Sequence, residues 1–185
     1  MLLRLSTTIV GNNRLGLKTP TKLLQRPRFF STKMADNIPD AFKNGTLFTD
    51  DRTYTFLNLP TSHAGQALEF LKSCQEENST AFQTFMYDKD EITVMLPTSQ
   101  FQAKFDAKGF PGHEEGTIQY RMITFDVVLA PTLVGFMAVV TRALADANVS
   151  VLPFAAYSRD HIFVSEKDFD TTMQVLEKLK TTTAK

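Results

Sequence analysis

The sequence predicts an α+β fold in which two ferredoxin-like βαββαβ units pack together. The order strand, helix, strand, strand, helix is indicated over residues 54–106 and again over residues 120–180. Between them, Lys108–Thr117 holds three glycines and a proline, a composition typical of a boundary. The halves share no strong identity, so the repeat is one of element order.

The first half is predicted from short β-rich runs around an amphipathic helix. Tyr54–Leu59 alternates between apolar and polar residues, and a helical pattern follows near His63–Glu77. Two further strands and a short helix complete the pattern, at Ala81–Tyr87, Ile92–Leu96 and Ser99–Asp106.

The second half has stronger patterns. An apolar run, Met122–Leu129, breaks at Ala130-Pro131-Thr132 before a helical pattern over residues 133–147. Two short β-type runs follow, Val149–Tyr157 and His161–Val164, separated by the turn Ser158-Arg159-Asp160. A last helix is indicated by Phe169, Met173, Leu176 and Leu179 on one face.

Each half lacks an obvious closing strand after its second helix. Part of Lys108–Thr117 is a candidate for one of these strands. Thr46–Thr49 is a candidate for the other, by returning to the sheet of the second half. The predicted organisation is a targeting segment over 1–33, a linker over 34–45, a first unit over 46–107, a linker over 108–117, a second unit over 118–180 and a tail over 181–185.

The charge distribution is uneven along the chain. Seven of the twenty basic side chains lie in residues 1–33, which contain no acid, so the remainder carries thirteen bases against twenty acids, a net charge of −7. An acidic body argues against nucleic acid as a partner, because binding phosphates needs clustered Lys and Arg. No run of eighteen apolar residues indicates a membrane span.

Residues 1–33 have the composition of a mitochondrial targeting segment, which is disordered before import. They are basic, acid-free and rich in Ser, Thr and Leu, and Arg28-Phe29-Phe30-Ser31 is typical of a processing site with cleavage before Ser31. Two alternatives are a disordered basic tail and a cytoplasmic form that starts at Met34. The sequence therefore predicts mitochondrial localisation, with the cytoplasmic form as the alternative.

Signals for catalysis or metal binding are weak. The chain has no CxxC, HExxH, GxSxG or phosphate-cradling glycine loop. Its three histidines, His63, His113 and His161, lie in different segments without metal-ligand spacing, and the single cysteine, Cys74, falls on an apolar helical stripe. We expect no catalytic residue, no metal site and no cofactor. An enzyme would need a cleft that gathers His161, Asp160 and Glu residues around a polar floor.

The better candidate site is the strand-to-helix bend at Pro131–Gly135. Free backbone N–H groups and the helix dipole make such a helix start an anion site that suits a carboxylate. Gly135 lacks a Cβ and allows close approach of a ligand or a strand. The alternative is that Thr132 only caps the helix and Gly135 only permits packing.

Three segments of the second half resemble the C-terminal half of tandem ACT-domain proteins of the CASTOR-like type. They are YRMITFDV, LVGFMAVVTRALADANVSV, and DHIFV with the helix after it, and together they span roughly residues 118–180. The resemblance implies two ACT modules, which are regulatory folds that bind amino acids or other small ligands. It also implies a ligand between the modules, held by Thr132, Leu133, Val134 and Gly135 with Ala155, Ala156 and Tyr157 opposite.

The sequence departs from the family where Val128-Leu129-Ala130 replaces a polar stretch and where Ala156 replaces Gly. Even so, we expect a non-catalytic sensor or regulatory protein whose partner is a small ligand such as an amino acid, and neither nucleic acid nor membrane. A homodimer or a regulated protein partner is left open. The alternative function is a ligand-free interaction subunit that uses the apolar helix 133–147 to hold a partner.

Overall fold

The structure, a computed structural model, describes residues 34–75 and 80–184, so the predicted targeting segment 1–33 lies outside the described residues. Its helices are α1 (Ile38–Asn44), α2 (Ala64–Cys74), α3 (Thr98–Lys104), α4 (Phe136–Asp146) and α5 (Phe169–Thr183). Its strands are β1 (Thr46–Phe48), β2 (Thr53–Pro60), β3 (Thr84–Tyr87), β4 (Glu91–Pro97), β5 (Glu114–Glu115), β6 (Tyr120–Asp126), β7 (Val151–Ala155) and β8 (Asp160–Ser165). Among these helices, none is long and apolar enough to cross a bilayer.

The strands form one antiparallel sheet whose main path runs β3-β4-β2-β6-β8-β7. In each half the third strand lies between the first and second: β4 separates β2 from β3, and β8 separates β6 from β7. This is the strand order of a ferredoxin-like unit. The α+β class and the βαββαβ-like units predicted from the sequence are confirmed.

Both closing strands come from the segments that the sequence indicates. β5, inside Lys108–Thr117, pairs with β2 through Leu57↔Glu115 and Asn58↔Glu114. β1 returns to the second half and pairs with β6 through Thr46↔Asp126, Leu47↔Phe125 and Phe48↔Thr124. Each short strand therefore precedes the first strand of one unit and completes the sheet of the other.

The two halves join where β2 and β6 pair directly. Thr53 lies opposite Arg121 and Tyr54 opposite Tyr120, so the N-terminal ends of the two strands meet. The Thr49 hydroxyl, in the turn between β1 and β2, donates to the Met122 carbonyl oxygen at 2.8 Å. The sheet is continuous across the joint, because β2 and β6 pair with each other near their N-terminal ends. Further along, β2 pairs with the closing strand β5 and β6 pairs with the closing strand β1.

Helices cover one face of the sheet. Alternate strand residues such as Ile123 and Ile162 pack under α1, α4 and α5, and others such as Leu57 and Val94 pack under α2 and α3. The residues between them point the opposite way. There they form a third apolar cluster, rich in aromatic rings: Tyr54, Phe56, Phe82, Met95, Tyr120, Met122, Leu152, Phe154 and Phe163.

The prediction of a linker over residues 34–45 is wrong, because α1 occupies most of that range. The Asn37 side chain accepts a hydrogen bond from the Asp40 amide at 2.9 Å, and Pro39 lies in the first turn. A capping side chain and an early proline are both typical of the start of a helix. Phe42 is buried with its ring 5.1 Å from that of Phe136. The predicted tail is also corrected, because α5 continues to Thr183.

Candidate functional site

A cleft of about 450 Å³ opens between the bend before α4 and the turn that joins β7 to β8. Its walls are mostly apolar, with one serine and two charged side chains at the turn. The residues that line it are Leu129, Ala130, Pro131, Leu133, Gly135, Phe136, Met137, Ala138, Ala156, Tyr157, Ser158, Arg159 and Asp160. All of them belong to the second unit.

The start of α4 lacks a side-chain cap. Gly135 is the residue before the helix, and its φ of 90° places it in the left-handed region, where a side chain would be strained. The Thr132 hydroxyl forms no capping hydrogen bond, so the alternative in which Thr132 only caps the helix is wrong. The helix therefore begins with backbone N–H groups that its own side chains do not satisfy.

Three of these N–H groups face no acceptor within the described chain. The amides of Phe136, Met137 and Ala138 have no hydrogen-bond partner among residues 34–75 and 80–184, whereas the next amide, that of Val139, donates to the Gly135 carbonyl oxygen at 3.0 Å. All three residues line the cleft. Their donors and the positive end of the helix dipole are suited to an anionic group.

The opposite wall carries the two charged side chains. The Arg159 guanidinium Nε donates to the Asp126 carboxylate Oδ1 at 2.5 Å, so this arginine is neutralised by a neighbour on β6. The Asp160 carboxylate forms no ion pair or side-chain hydrogen bond with any described residue. Burial raises its pKa above the usual value for an aspartate. Asp160 is thus a partly buried carboxylate without a side-chain partner among the described residues.

The segment before α1 does not line the cleft but holds one of its walls in place. The Ala35 amide donates to the Val128 carbonyl oxygen at 2.9 Å, and the Ala130 amide donates to the Ala35 carbonyl oxygen at 3.0 Å. Ala35 is 2% exposed. A Cβ built on Gly135 would lie 3.7 Å from the Ile38 side chain, so α1 also approaches the bend. These contacts fix the wall at Leu129 and Ala130.

The cleft contains four of the seven ligand-binding residues expected from the resemblance: Leu133, Gly135, Ala156 and Tyr157. Thr132, Val134 and Ala155 are not among its lining residues. The Val134 and Tyr157 side chains point into solvent, with 85% and 101% exposure. The cleft lies inside the second unit, whereas a ligand between the modules stays a prediction.

Sequence reasoning missed the residues with the clearest chemistry. Phe136–Ala138 carry the unpartnered amides, yet the bend itself, Pro131–Gly135, was expected to supply them. The Leu133 amide is instead used within the bend, where it donates to the Ala130 carbonyl oxygen at 2.8 Å. Asp160 was read as part of a turn, and otherwise only as one of the residues that an enzyme cleft would gather. Asp160 could have been recognised as a candidate, because its carboxylate lies at the first position of a strand and close to the expected wall Ala155–Tyr157.

The equivalent bend of the first unit is covered by the chain itself. His63 follows β2, and its Nε2 lies 3.1 Å from the Pro111 carbonyl oxygen. Gly112, with a φ of 80°, packs so closely that an added Cβ would lie 3.3 Å from Pro60. Residues 110–113 therefore occupy the first unit where the second unit has its cleft.

The features that would indicate an enzyme or a metal site are not gathered here. The cleft contains Asp160, but the residues that line it include neither His161 nor a glutamate, and its walls are apolar. The His161 Nδ1 lies 2.8 Å from the Thr124 hydroxyl, and its ring contacts Phe82, which belongs to the aromatic cluster. Within the described ranges, no group of three or more His, Cys, Asp or Glu side chains is placed to hold a metal ion.

Residues 117–178 match the family model of the ACT domain. The match covers about a third of the chain and includes β6, α4, β7, β8 and most of α5. The chain therefore contains an ACT domain, and the cleft lies within it. No curated protein sequence matches the chain.

Solved structures share the fold of the described residues. A protein of unknown function from Vibrio cholerae is 18% identical, with 77% of this chain and 94% of that chain covered and a TM-score of 0.57. A protein from Agrobacterium tumefaciens is 15% identical, covering 74% and 89%, with a TM-score of 0.55. The regulatory subunit of aspartate kinase from Thermus thermophilus, in its ligand free form, is 12% identical, covering 73% and 96%, with a TM-score of 0.52. At these identities, the likeness is one of fold.

Proposed function

We propose that this chain is a non-catalytic regulatory or sensor protein of the tandem ACT, CASTOR-like type, and that it binds a small amino acid in the cleft of its second unit. One observation carries the proposal. The cleft offers unpartnered amides at the start of α4 and an unpaired carboxylate at Asp160, which together complement the two charges of an amino acid.

The carboxylate of the ligand would bind at the start of α4. The amides of Phe136, Met137 and Ala138 are donors without an acceptor in the described chain. An N–H group that lacks an acceptor and is shielded from water costs free energy, which an anionic acceptor would recover at the buried Phe136. The dipole of an eleven-residue helix adds to this attraction.

The ammonium group of the ligand would bind at Asp160. A carboxylate that is desolvated without a partner destabilises the protein, and a cation at that position removes the cost. The arrangement resembles a site prepared for a ligand, since the destabilising group is placed in the cleft and not in the packed core.

Two comparisons support a regulatory role. The cleft lies inside the segment that matches the ACT domain. The fold of the described chain is similar to that of the aspartate kinase subunit from Thermus thermophilus, which is described as a regulatory subunit and as having a ligand free form.

Thermal melts of the full chain against the twenty amino acids test the proposal. An amino acid at a hundred times its Kd stabilises the native state by about 2.7 kcal/mol, which raises the Tm of a chain of this size by about 5–10 °C. Asp160→Asn is expected to abolish that shift. The matched control, Asp170→Asn, changes an exposed aspartate on α5 and is expected to keep it. A flat response of the unaltered protein to all twenty would refute amino-acid binding.

The alternative function is an interaction subunit, and the exposure of two apolar side chains favours it. Val134 and Tyr157 lie on either side of the cleft and point into solvent. Helix α4 buries Phe136, Val140 and Leu144 within this chain, while Ala138 and Ala145 remain exposed. A partner or second copy would cover this surface. Light scattering of the full chain and of Val134→Ser would then show an assembly that the variant loses, with no response to amino acids.

We also propose that residues 1–33 direct the protein to mitochondria. Their seven basic residues and the absence of acids support this proposal. Imaging of residues 1–33 fused to a fluorescent protein would test import, and N-terminal sequencing would locate the cleavage, expected before Ser31. A cytoplasmic fusion would instead favour the form that starts at Met34.

A further inference from the structure

The walls of the cleft restrict which amino acid it can accept. Apart from the turn residues, its lining side chains are aliphatic, aromatic or absent, with Leu129, Leu133 and Met137 as the large aliphatic ones. A charged ligand side chain placed against this wall would lose water without gaining a hydrogen bond, at a cost in binding free energy. An aliphatic side chain would instead gain from burial.

Only two charged residues, Arg159 and Asp160, line the cleft, and each already has a role that keeps it from a ligand side chain. Asp160 is the partner proposed for the ligand ammonium group. Arg159 is the one cation in the lining that would attract an acidic side chain, but its Nε donates to Asp126 at 2.5 Å. Its side chain is 25% exposed, compared with 47% for Asp126, so the guanidinium is held within the turn.

Asp126 lies at the end of β6, and Arg159 lies in the turn before β8, opposite it in the sheet. The pairing Phe125↔Asp160 brings the two segments together. An acidic ligand side chain would have to compete with the Asp126 carboxylate for the guanidinium and would also be repelled by it. A basic side chain would meet an Arg159–Asp126 pair without net charge and an Asp160 already bound to the ligand ammonium group, so it would lose water without gaining a carboxylate of its own.

We propose that the cleft selects an amino acid with an uncharged aliphatic side chain, and that Asp126 sets this selectivity by keeping Arg159 from acidic side chains. This inference depends on the function proposed above. Asp126 acts through Arg159 and is therefore a specificity-determining residue that needs no contact with the ligand.

The experiment measures Kd by calorimetry on the full chain, with leucine, valine, glutamate and arginine as ligands. The unaltered protein is expected to bind leucine or valine at least about tenfold more tightly than glutamate or arginine. Asp126→Asn removes the carboxylate to which the Arg159 Nε donates and is expected to strengthen glutamate binding by about tenfold. Arg159→Gln removes the guanidinium and should produce no gain for glutamate. Asp170→Asn, remote on α5, is the charge-matched control.

The outcomes separate the inference from the proposed function. If glutamate or arginine binds the unaltered protein best, the selectivity inference is overturned while amino-acid binding stands. If no amino acid raises the Tm in the thermal melts described above, the proposed function itself fails. If Asp126→Asn retains a native circular dichroism spectrum but shows no gain for glutamate, the role of Asp126 is overturned. If that variant does not fold, Arg159→Gln provides the test. Tighter glutamate binding by Arg159→Gln would refute the role of the Arg159–Asp126 pair, because the guanidinium would then not be needed.

Discussion

At the scale of single residues, Asp160 lines the cleft and, as a partly buried carboxylate, lowers the stability of the fold. Its carboxylate has no side-chain partner among the described residues, and burial raises its pKa. Most desolvated acids in folded proteins are paired, since the charged form is otherwise disfavoured. The lack of a partner agrees with the proposal that Asp160 binds a cationic group of the ligand.

Asp160→Asn is predicted to stabilise the protein without ligand at pH 7. A raised folded pKa means that the native state holds its proton more tightly than the unfolded state, so the carboxylate destabilises the fold once pH rises through the folded pKa. The gain should shrink as pH falls toward the usual aspartate value of about 4. Urea denaturation of both proteins at pH 7 and pH 4 measures this. A variant less stable than the original at pH 7 would indicate a structural role instead.

His161 is predicted to make the protein less stable in mild acid. Burial, and then the charge of Arg159, lower the pKa of this histidine, so the unfolded state takes up a proton at higher pH than the native state does. Stability is then complete above the usual histidine value of about 6.5 and falls as pH decreases through the folded pKa.

The measurement is the free energy of unfolding at pH 7.5 and pH 5.5 for the unaltered protein and for His161→Gln. The variant keeps a group able to hydrogen-bond to Thr124, which lies 2.8 Å from His161, but it cannot be protonated in this range. Its loss between the two pH values should be smaller. Equal losses would show that His161 does not contribute to the pH dependence.

At the scale of elements, the second unit depends on residues far upstream. β1 completes its sheet, and α1 places Phe42 against Phe136 in its core. The segment that matches the ACT domain, residues 117–178, contains neither element. Deleting a buried phenylalanine alone costs about 3–5 kcal/mol, a large part of the stability of a small domain.

A fragment of residues 117–185 is therefore predicted not to fold alone. Adding a peptide of residues 34–50, which contains α1 and β1, should restore folding in trans, as seen by circular dichroism. The same peptide with Leu47→Pro should fail, because proline cannot donate the strand hydrogen bond and Leu47 pairs with Phe125. A fragment that folds fully without the peptide would contradict this prediction.

Much of the element order was readable from the sequence, because period-two runs and the apolar face of α4 are local signals. The closing strands were found as well, since Thr46–Thr49 and Lys108–Thr117 were the segments left to fill the pattern. Helix α1 was missed. It has only seven residues, too few to show a helical period, and the burial of Ala41 and Phe42 comes from packing against distant residues.

The site was only partly readable. Gly135 was placed in the bend because it lacks a Cβ and allows close approach, whereas its left-handed backbone conformation was seen only in the structure. The sequence could not show which amides lack an acceptor, because that depends on the hydrogen bonds that form inside the bend, such as the one from the Leu133 amide to Ala130. The Arg159–Asp126 pair joins residues 33 positions apart, and only the register of β6 and β8 brings them together.

At the scale of the whole molecule, the exchange of closing strands and the β2–β6 joint connect the two halves. Loss of one unit would leave the other without a closing strand. We therefore predict one cooperative unfolding transition for both halves. Scanning calorimetry should give a calorimetric enthalpy equal to the van't Hoff enthalpy. Two resolved transitions, or an enthalpy ratio near two, would show that the units unfold independently.

The return of β1 to the second half also has a consequence for how the chain is made. Thr49, beside β1, contacts Met122, which lies 73 positions downstream. During synthesis, β1 emerges first and its partner β6 follows much later. The early segment must wait unpaired, where a chaperone can hold it, so the native sheet forms only after nearly the whole polypeptide has emerged.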